Sequence, residues 1–570
     1  MSPQEQPRKL STAETACHAT PEQAGLRVET LPFTQIPQQS RLFLDYLVDA
    51  SRLRRFYPEA VKHHYDLPER RERVLANYST DRAPMCDALE RLNRGWGAGE
   101  KTLEHIRLLR EADCIAVVSG QQAGLFGGPL YTIYKALSAV KLAECMTQRG
   151  IKTVPIFWIA TEDHDFAEVA RAEFINRDCT FSSVEIPAGI HSDGLPVGRV
   201  TLDQSVETTL QTLLSSLPKT EFTDSLEKLL RDCYSPEKKF GDAFARIMTA
   251  LAGEKGLILV DPLDEDLKTL AAPLYADAAR HAQEIALAIV ARSRELEEAG
   301  YHAQVTPSED SFPLFLHDES GARRAVTRNS DGSYQTKGNG REYTADELAD
   351  WALREPARFS PNVTLRAVVQ DILFPTIAYY GGSAEIAYFA QTSEVYRILN
   401  RPVTPILPRV SLTFVEKHTW RSLERYGVGL QDFFAGPDHV VSKVVAEYLG
   451  KETAAAFEHT TETFNTQLDG LQAQLKRVDP TLADALEKGR RKINYQIDGL
   501  RTRFNRAQVA RDEAVQRQLQ HAADLLFPDK TLQERRINIA SFIARHGRYF
   551  VDWIFDAIDL ETKDHEIVYL

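Results

Sequence analysis

Two neighbouring stretches, 117-VVSGQQAGLFGGPLYTIYKAL-137 and 154-VPIFWIATEDHD-165, decide how this chain is read. Each starts as a short apolar run and breaks into small and polar residues. CIAVVSG, from Cys114, and TVPIFWIA, from Thr153, read as strands. Between them Leu130, Ile133, Tyr134, Leu137, Val140 and Leu142 fall mostly on one face at helical spacing, predicting a helix from Leu130 to Arg149. Strand, loop, helix, strand is a βαβ unit, whose strands are parallel and buried.

The pattern recurs further along. In 256-GLILVDPLDEDLK-268 an apolar strand ends in the carboxylates Asp261 and Asp264 before a helix that runs to about 298. Residues 176–250 read as an insertion. A second excursion lies near 300–360, where turns at Glu319-Ser320-Gly321 and Ser330-Asp331-Gly332 divide short strands. A helix over 363–374 leads to 379-YYGGSAEIAYFA-390, another glycine-rich turn opening a helix, and 405-PILPR-409 is a short strand. The domain reading is a mostly helical segment over 1–110, the core over 111–420, a helical arm over 421–530 and a helical tail over 531–570 that packs back on the body.

In the arm, Phe457, Phe464, Leu468, Leu471, Leu475 and Val478 step by 7, 4, 3, 4 and 3. Leu486, Ile493, Ile497, Leu500, Phe504 and Ala507 repeat those steps after a break at Asp479-Pro480. Two such repeats joined by a tight turn predict an antiparallel coiled-coil hairpin, and a surface for a homodimer.

In parallel α/β sheets ligands bind outside the carboxyl ends of the strands. Gly120, Gln121, Gln122, Gly124, Gly127 and Gly128 therefore form a candidate cradle for an anion at a helix start, with Tyr131 and Lys135 just inside the helix. The turn is neither GxxxxGK[ST] nor GxGxxG. Glu162, Asp163, His164 and Asp165 end the adjacent strand. Carboxylates there can hold Mg²⁺ on a nucleotide or a substrate ammonium, and His164 can move a proton or touch phosphate. A transition-metal site ranks lower, because no HExxH-type partner accompanies His164. Asn362, Arg366, Gln370 and Asp371 recur on one helix, and Gly381, Gly382 and Glu385, with Arg409, complete the candidate pocket.

Composition narrows the partners. With 68 basic against 81 acidic side chains the formal net charge is -13, which argues against nucleic acid or an anionic membrane as main partner and favours small molecules. The six cysteines, Cys17, Cys86, Cys114, Cys145, Cys179 and Cys233, form no CxxC, so they read as reduced thiols in the cytoplasm, with no tightly bound metal expected. No apolar run reaches the roughly 18 to 20 residues of a membrane span, and the first residues lack the apolar segment of a signal peptide.

The long motifs GQQAGLFGGPLYTIYKALSAVKLAE, VPIFWIATEDHDFAEV, GLILVDPLDEDLK, FSPNVTLRAVVQDILFPTIAYYGGSAEIAYFAQ and PILPR resemble, in the same order and over essentially the whole chain, the bacillithiol-biosynthesis family BshC. The resemblance implies a Rossmann-like core akin to nucleotidyltransferases and class I aminoacyl-tRNA synthetases, connecting-peptide insertions, and a C-terminal coiled coil that helps form a dimer. It also implies a cysteine ligase that joins cysteine through an amide bond to the amine of glucosaminyl malate. A free carboxylate does not acylate an amine at useful rates, so activation by ATP with Mg is inferred. The superfamily's HxGH position reads Gly120-Gln121-Gln122-Ala123-Gly124-Leu125 here, with neither histidine, and no KMSKS-type loop is visible. Two alternatives stand beside the ligase: a non-catalytic scaffold in thiol synthesis and a metal-dependent hydrolase using His164.

Overall fold

The computed structural model describes residues 26–61, 63–187, 194–306, 308–336 and 341–570; Cys17 lies outside the described residues. The described residues open with β1 (Arg27–Leu31) and four α-helices, the last of them Glu100–Leu109, then enter the core at β2 (Ile115–Gln121). Helix α1 (Leu130–Gln148) crosses over to β3 (Thr153–Ile159). The hairpin β4 (Arg171–Ile175) and β5 (Phe181–Glu185) and three helices between Ser205 and Ala252 then leave the core, which resumes at β6 (Ile258–Val260). The helix expected up to 298 is two, α2 (Glu265–Arg280) and α3 (Ala282–Glu298), because the backbone leaves helical geometry at His281. Asp264 caps α2 by accepting from the backbone N–H groups of Asp266 and Leu267 and pairs with Arg91, so this strand-end carboxylate is structural.

The second excursion is an antiparallel sheet of β7 (Ser311–His317), β8 (Arg323–Arg328), β9 (Tyr334–Thr336), β10 (Glu342–Tyr343) and β11 (Phe359–Pro361). Helix α4 (Val363–Leu373), β12 (Thr376–Gly381), α5 (Ser383–Ile398) and β13 (Ile406–Pro408) complete the core. Its five strands are parallel in the order β13-β12-β2-β3-β6. The chain thus works outward from β2 through β3 to β6 and returns to β12 and β13 on the other side. The order reverses between β2 and β12, and at such a point adjacent crossovers leave on opposite faces and open a crevice at the strand ends. Every residue of β3 is buried, as is every residue of β2 except Gln121, as a sheet covered on both faces requires.

Helix α1 is buried nearly all round, where one apolar face is expected. The reason lies at the other end of the chain: helices Gln533–Arg536 and Tyr549–Ala557 pack on it. The tail is helical to Ala557 and ends in a strand. That strand, β15 (His565–Tyr569), pairs in parallel with β14 (Ser411–Val415) and antiparallel with β1, stitching the two ends of the chain together.

Helices α6 (Lys451–Val478) and α7 (Pro480–Arg511) form the expected antiparallel hairpin, with Asp479 capping α7 at the backbone N–H of Thr481 and Pro480 at its first turn. The seam differs from the expected one. Leu471, Val478, Ile493 and Leu500 point outward, at 43%, 79%, 43% and 58% exposure. Asn494 instead donates to Asn465 across the hairpin and Arg490 pairs with Asp469. The apolar stripe is wider than one seam, and the polar contacts fix the register. Among the described residues no helix is long and apolar enough to cross a membrane. Cys86, Cys114, Cys179 and Cys233 are free thiols. Cys145 is disulfide-bonded, which corrects the reading of all the thiols as reduced; the absence of CxxC spacing says nothing about cysteines brought together by the fold.

Candidate active site

A cavity of about 760 Å³ opens at the carboxyl ends of β2, β3 and β12, where the strand order reverses. Its floor carries charge and its far wall is apolar. The wall comes from α3 and the antiparallel sheet, through Ile285, Ile289, Phe312, Leu314, Phe315 and Val326. A low-dielectric wall strengthens every charge interaction on the floor.

Lys135 sits at the point of reversal, 3% exposed. Its ammonium donates to the carbonyl of Gly120 at 3.0 Å and to Gln121 Oε1 at 2.7 Å, and forms an ion pair with Glu385. Glu385 also accepts from the Gly382 N–H at 2.7 Å and the Tyr379 hydroxyl at 2.6 Å. Helix α1 thus supplies the cation and α5 the anion. Burial pulls the Lys135 ammonium down to about 8, Glu385 holding it back from falling further. Burial raises the Glu385 carboxyl, but Lys135 and Arg366 outweigh it and the net shift is downward. Arg366 donates to the Tyr388 hydroxyl, and Arg409 donates to Glu534 at 2.6 Å with its guanidinium 5.5 Å from the Tyr131 ring.

The β3 end builds the opposite side. Gln122 Nε2 donates to Asp163 and to Glu168, both at 2.8 Å, and so clamps two carboxylates together. Asp163 also accepts from the His164 N–H at 2.7 Å. Burial pushes the Asp163 carboxyl up, yet the Gln122 hydrogen bond and the nearby Arg323 bring it below its ordinary value. Glu162 is buried against Lys268 at 2.5 Å, and Lys268 also donates to the carbonyl of Phe359 in the sheet wall. Arg323 donates to Ser360 and to the Pro361 carbonyl, its guanidinium lies 3.8 Å from the Phe315 ring centre, and its other nitrogen reaches 3.5 Å from His164 Nδ1. Arg323 is therefore fixed by the wall and aimed at the acidic strand end.

Of the residues singled out in the sequence, Gly120, Gln121, Gln122, Tyr131, Lys135, Glu162, Asp163, His164, Asn362, Arg366, Gly382, Glu385 and Arg409 line this cavity. The glycine cradle does not exist as imagined. The N–H groups of Gly124, Gly127 and Gly128 bond to the carbonyls of Gln122, Gly124 and Leu125, and the helix-start N–H of Leu130 bonds to Ile537. These glycines serve packing: a Cβ on Gly124 would meet the Gly128 Cα at 2.7 Å, and Gly127, at φ +92°, packs on Ile539. Asp165 caps a short helix at Glu168, and Gly381 packs against Ile406. Asp371 is held by Tyr396 and Thr404, and Gln370 is buried; neither lines the cavity. Asn362 reaches the cavity but spends its oxygen capping α4.

The sequence reading missed Lys268, Arg323, Glu168, Tyr388 and Arg535. Lys268 lies on α2, at the end of the stretch 256–268, and Arg323 opens β8 of the second excursion; nothing local marks the partner of either. Glu168 stood three residues beyond Asp165 and was within reach of a longer look at that turn. Arg535 comes from the segment that packs on α1. Among the described residues no group of three His, Cys, Asp or Glu side chains is arranged to hold a metal ion.

Residues 26–410 match the model of the Bacillithiol biosynthesis BshC N-terminal Rossmann-like domain, and residues 412–570 that of the BshC C-terminal coiled-coil domain. The chain belongs to the BshC family. Relatives carrying the name "Putative cysteine ligase BshC" include one from Koribacter versatilis, 37% identical and aligned over 95% of this chain and 99% of its own. One from Salinibacter ruber is 33% identical over 92% and 96%, and one from Solibacter usitatus 35% over 94% and 98%. The BshC-type Rossmann domain ends beside β13, and the coiled-coil domain returns to the cavity through Arg535 and, behind Arg409, Glu534.

Proposed function

We propose that this BshC-family chain is a ligase that joins the carboxyl group of cysteine to the amine of glucosaminyl malate in an ATP-dependent step, inside the cavity at the strand-order reversal. The observation that carries the reading is the division of the cavity into a cationic side and a carboxylate side. Lys135, Arg366, Arg409 and Arg535, with one carboxylate, Glu385, among them, line the first; Glu162, Asp163 and Glu168, with one cation, Arg323, beside them, line the second. Such a site suits substrates that present carboxylates at one end and an ammonium at another.

The nucleotide is accommodated through side chains. The N–H groups of Gly124, Gly127, Gly128 and Leu130 are spent within the protein, whereas the four cations suit an anionic end and Asp163 with Glu168 suits Mg²⁺. Bound there, ATP would supply the activation that the cysteine carboxyl needs. The protein's own part is recognition and proton handling. The guanidinium groups of Arg366 and Arg409 bind the malate carboxylates through the N–H groups not spent on Tyr388, Val410 and Glu534. Asp163, anionic throughout the physiological range, is too weak a base to deprotonate an amine and instead orients the ammonium. His164, beside it and half-exposed, takes the proton that the attacking amine loses. The apolar wall keeps water from competing for the activated carboxyl. The outward Leu471, Ile493 and Leu500 supply the surface for a homodimer through the coiled coil.

The test is mass spectrometry of the purified protein incubated with glucosaminyl malate, cysteine and Mg-ATP, with ATP omitted in parallel and AMP and ADP quantified. Bacillithiol formed only with ATP supports the ligase. No product from folded protein under any of these conditions contradicts it.

A further inference from the structure

At the end of α5 away from the cavity, a groove of about 630 Å³ runs between the N-terminal helices and the 400–403 turn. Arg55, Arg73, Arg292, Arg397 and Arg401 line it. A small recess continuing from it adds Arg70. Among the described residues three carboxylates form ion pairs with these six arginines. Glu59 pairs with Arg70 and Arg73, Glu394 with Arg292 and Arg397, and Glu295 with Arg55 and Arg292. Each of these three carboxylates is therefore already shared between two guanidinium groups, and with Asp371 of the same recess counted the cluster keeps a net charge of about two positive in a chain whose formal net charge is -13.

Arg401 has no such partner. Its side chain makes no hydrogen bond or ion pair among the described residues, and its Nε is buried without an acceptor. The backbone fixes it there: Asn400 takes a positive φ of 50°, and the Arg401 N–H bonds to the Tyr396 carbonyl at 2.8 Å. Asp371 interacts with Arg401 electrostatically but its hydrogen bonds go to Tyr396 and Thr404, and burial raises its carboxyl to about 6. A buried donor left unpaired is costly, and a native structure that retains one calls for a missing acceptor. Like charges crowded round it repel unless something of opposite sign is present.

We propose that this groove is a binding site for a small, multiply charged oxyanion, which accepts from the Arg401 guanidinium and from the free nitrogens of Arg73 and Arg397. Glu59 and Glu394 hold those forks in place in advance, so that planar donors meet phosphate or carboxylate oxygens without further ordering. The site is separate from the cavity proposed for ligation and does not depend on that reading.

Calorimetric titration of the full-length protein at low ionic strength with inorganic phosphate, pyrophosphate and citrate tests it, using wild type, Arg401→Gln, Arg73→Gln and, as a control in the main cavity, Arg323→Gln. The expected result is a binding event weakened about tenfold or more by Arg401→Gln and by Arg73→Gln and retained by Arg323→Gln. Tighter binding of pyrophosphate identifies a phosphate-bearing ligand, and tighter binding of citrate a polycarboxylate. Heat of binding that is absent for all three anions, or unchanged in both groove variants, overturns the proposal. Arg401 has no partner to lose, so its variant is expected to fold as wild type does.

Discussion

Two buried lysine–glutamate pairs stand at the strand ends, and they do different work. Lys135 and Glu385 both face the cavity, and their remaining hydrogen bonds go to Gly120, Gln121, Tyr379 and Gly382 around it. In the second pair only Glu162 reaches the cavity. Lys268 lies behind it and ties the core to the antiparallel wall through the Phe359 carbonyl. One pair belongs to the site and the other to the joint that holds the site's wall. A buried ion pair is not by itself a sign of catalysis; what its spare donors and acceptors face decides its part.

The largest effect expected is from breaking either pair on one side. Lys135→Met leaves Glu385 buried without its cation and should cost about 3–5 kcal/mol of stability, read by denaturant unfolding, together with product formation. Lys268→Met should cost a similar amount, about 3–5 kcal/mol, because Glu162 is as deeply buried. The comparison breaks if Lys268→Met, assayed below its melting temperature, loses as much turnover per folded molecule as Lys135→Met. Asp163→Asn sharpens it from the other direction: half-buried, hydrogen-bonded to neutral donors and with Arg323 no closer than 3.8 Å, it should leave the melting temperature nearly unchanged while turnover falls by at least about a hundredfold.

Lys135 also predicts a pH signature. Its folded value of about 8 lies below the ordinary 10.5, so the unfolded chain binds more protons between those values. Stability of the wild type relative to Lys135→Met should therefore rise as pH increases from about 8 towards 10.5. Glu566 on β15 gives the opposite case, a buried carboxyl with no lysine. One of its oxygens has no partner, and burial, aided by Asp559, raises it to about 8. The folded state then holds the extra proton, so its contribution is present at acid pH and lost as pH climbs from 4.5 to about 8. Glu566→Gln should flatten the pH dependence of the melting temperature over that window. The smallest expected change in the fold comes from the arm, where Leu500→Asp should leave unfolding almost unaltered while abolishing, in sedimentation velocity, the dimer proposed through the coiled coil.

Much of the core was legible because its rules are local. The apolar runs at 115–121 and 153–159, the helix between them and the polar ends at Glu162 and Glu385 all carry their periodicity in sequence. The glycine turn misled for a physical reason: glycines that bring a backbone close to a phosphate and glycines that bring two backbones close to each other have the same sequence signature. Only the partner, here Ile537 and Ile539 from the far end of the chain, distinguishes them. Lys268 and Arg323 were invisible for a related reason, since each draws its role from a segment dozens of residues away. In the arm the steps of 7, 4 and 3 were right, but the stripe they mark is shared between the hairpin seam and an outward face, which spacing alone does not separate.

The most direct test of the account is the rate of bacillithiol formation by Asp163→Asn and Lys135→Met beside wild type, each at a temperature where it is folded, with ATP present. The account predicts ATP-dependent product from wild type and at least a hundredfold less from both variants. Product at the wild-type rate from either variant would contradict the placement of the reaction in this cavity.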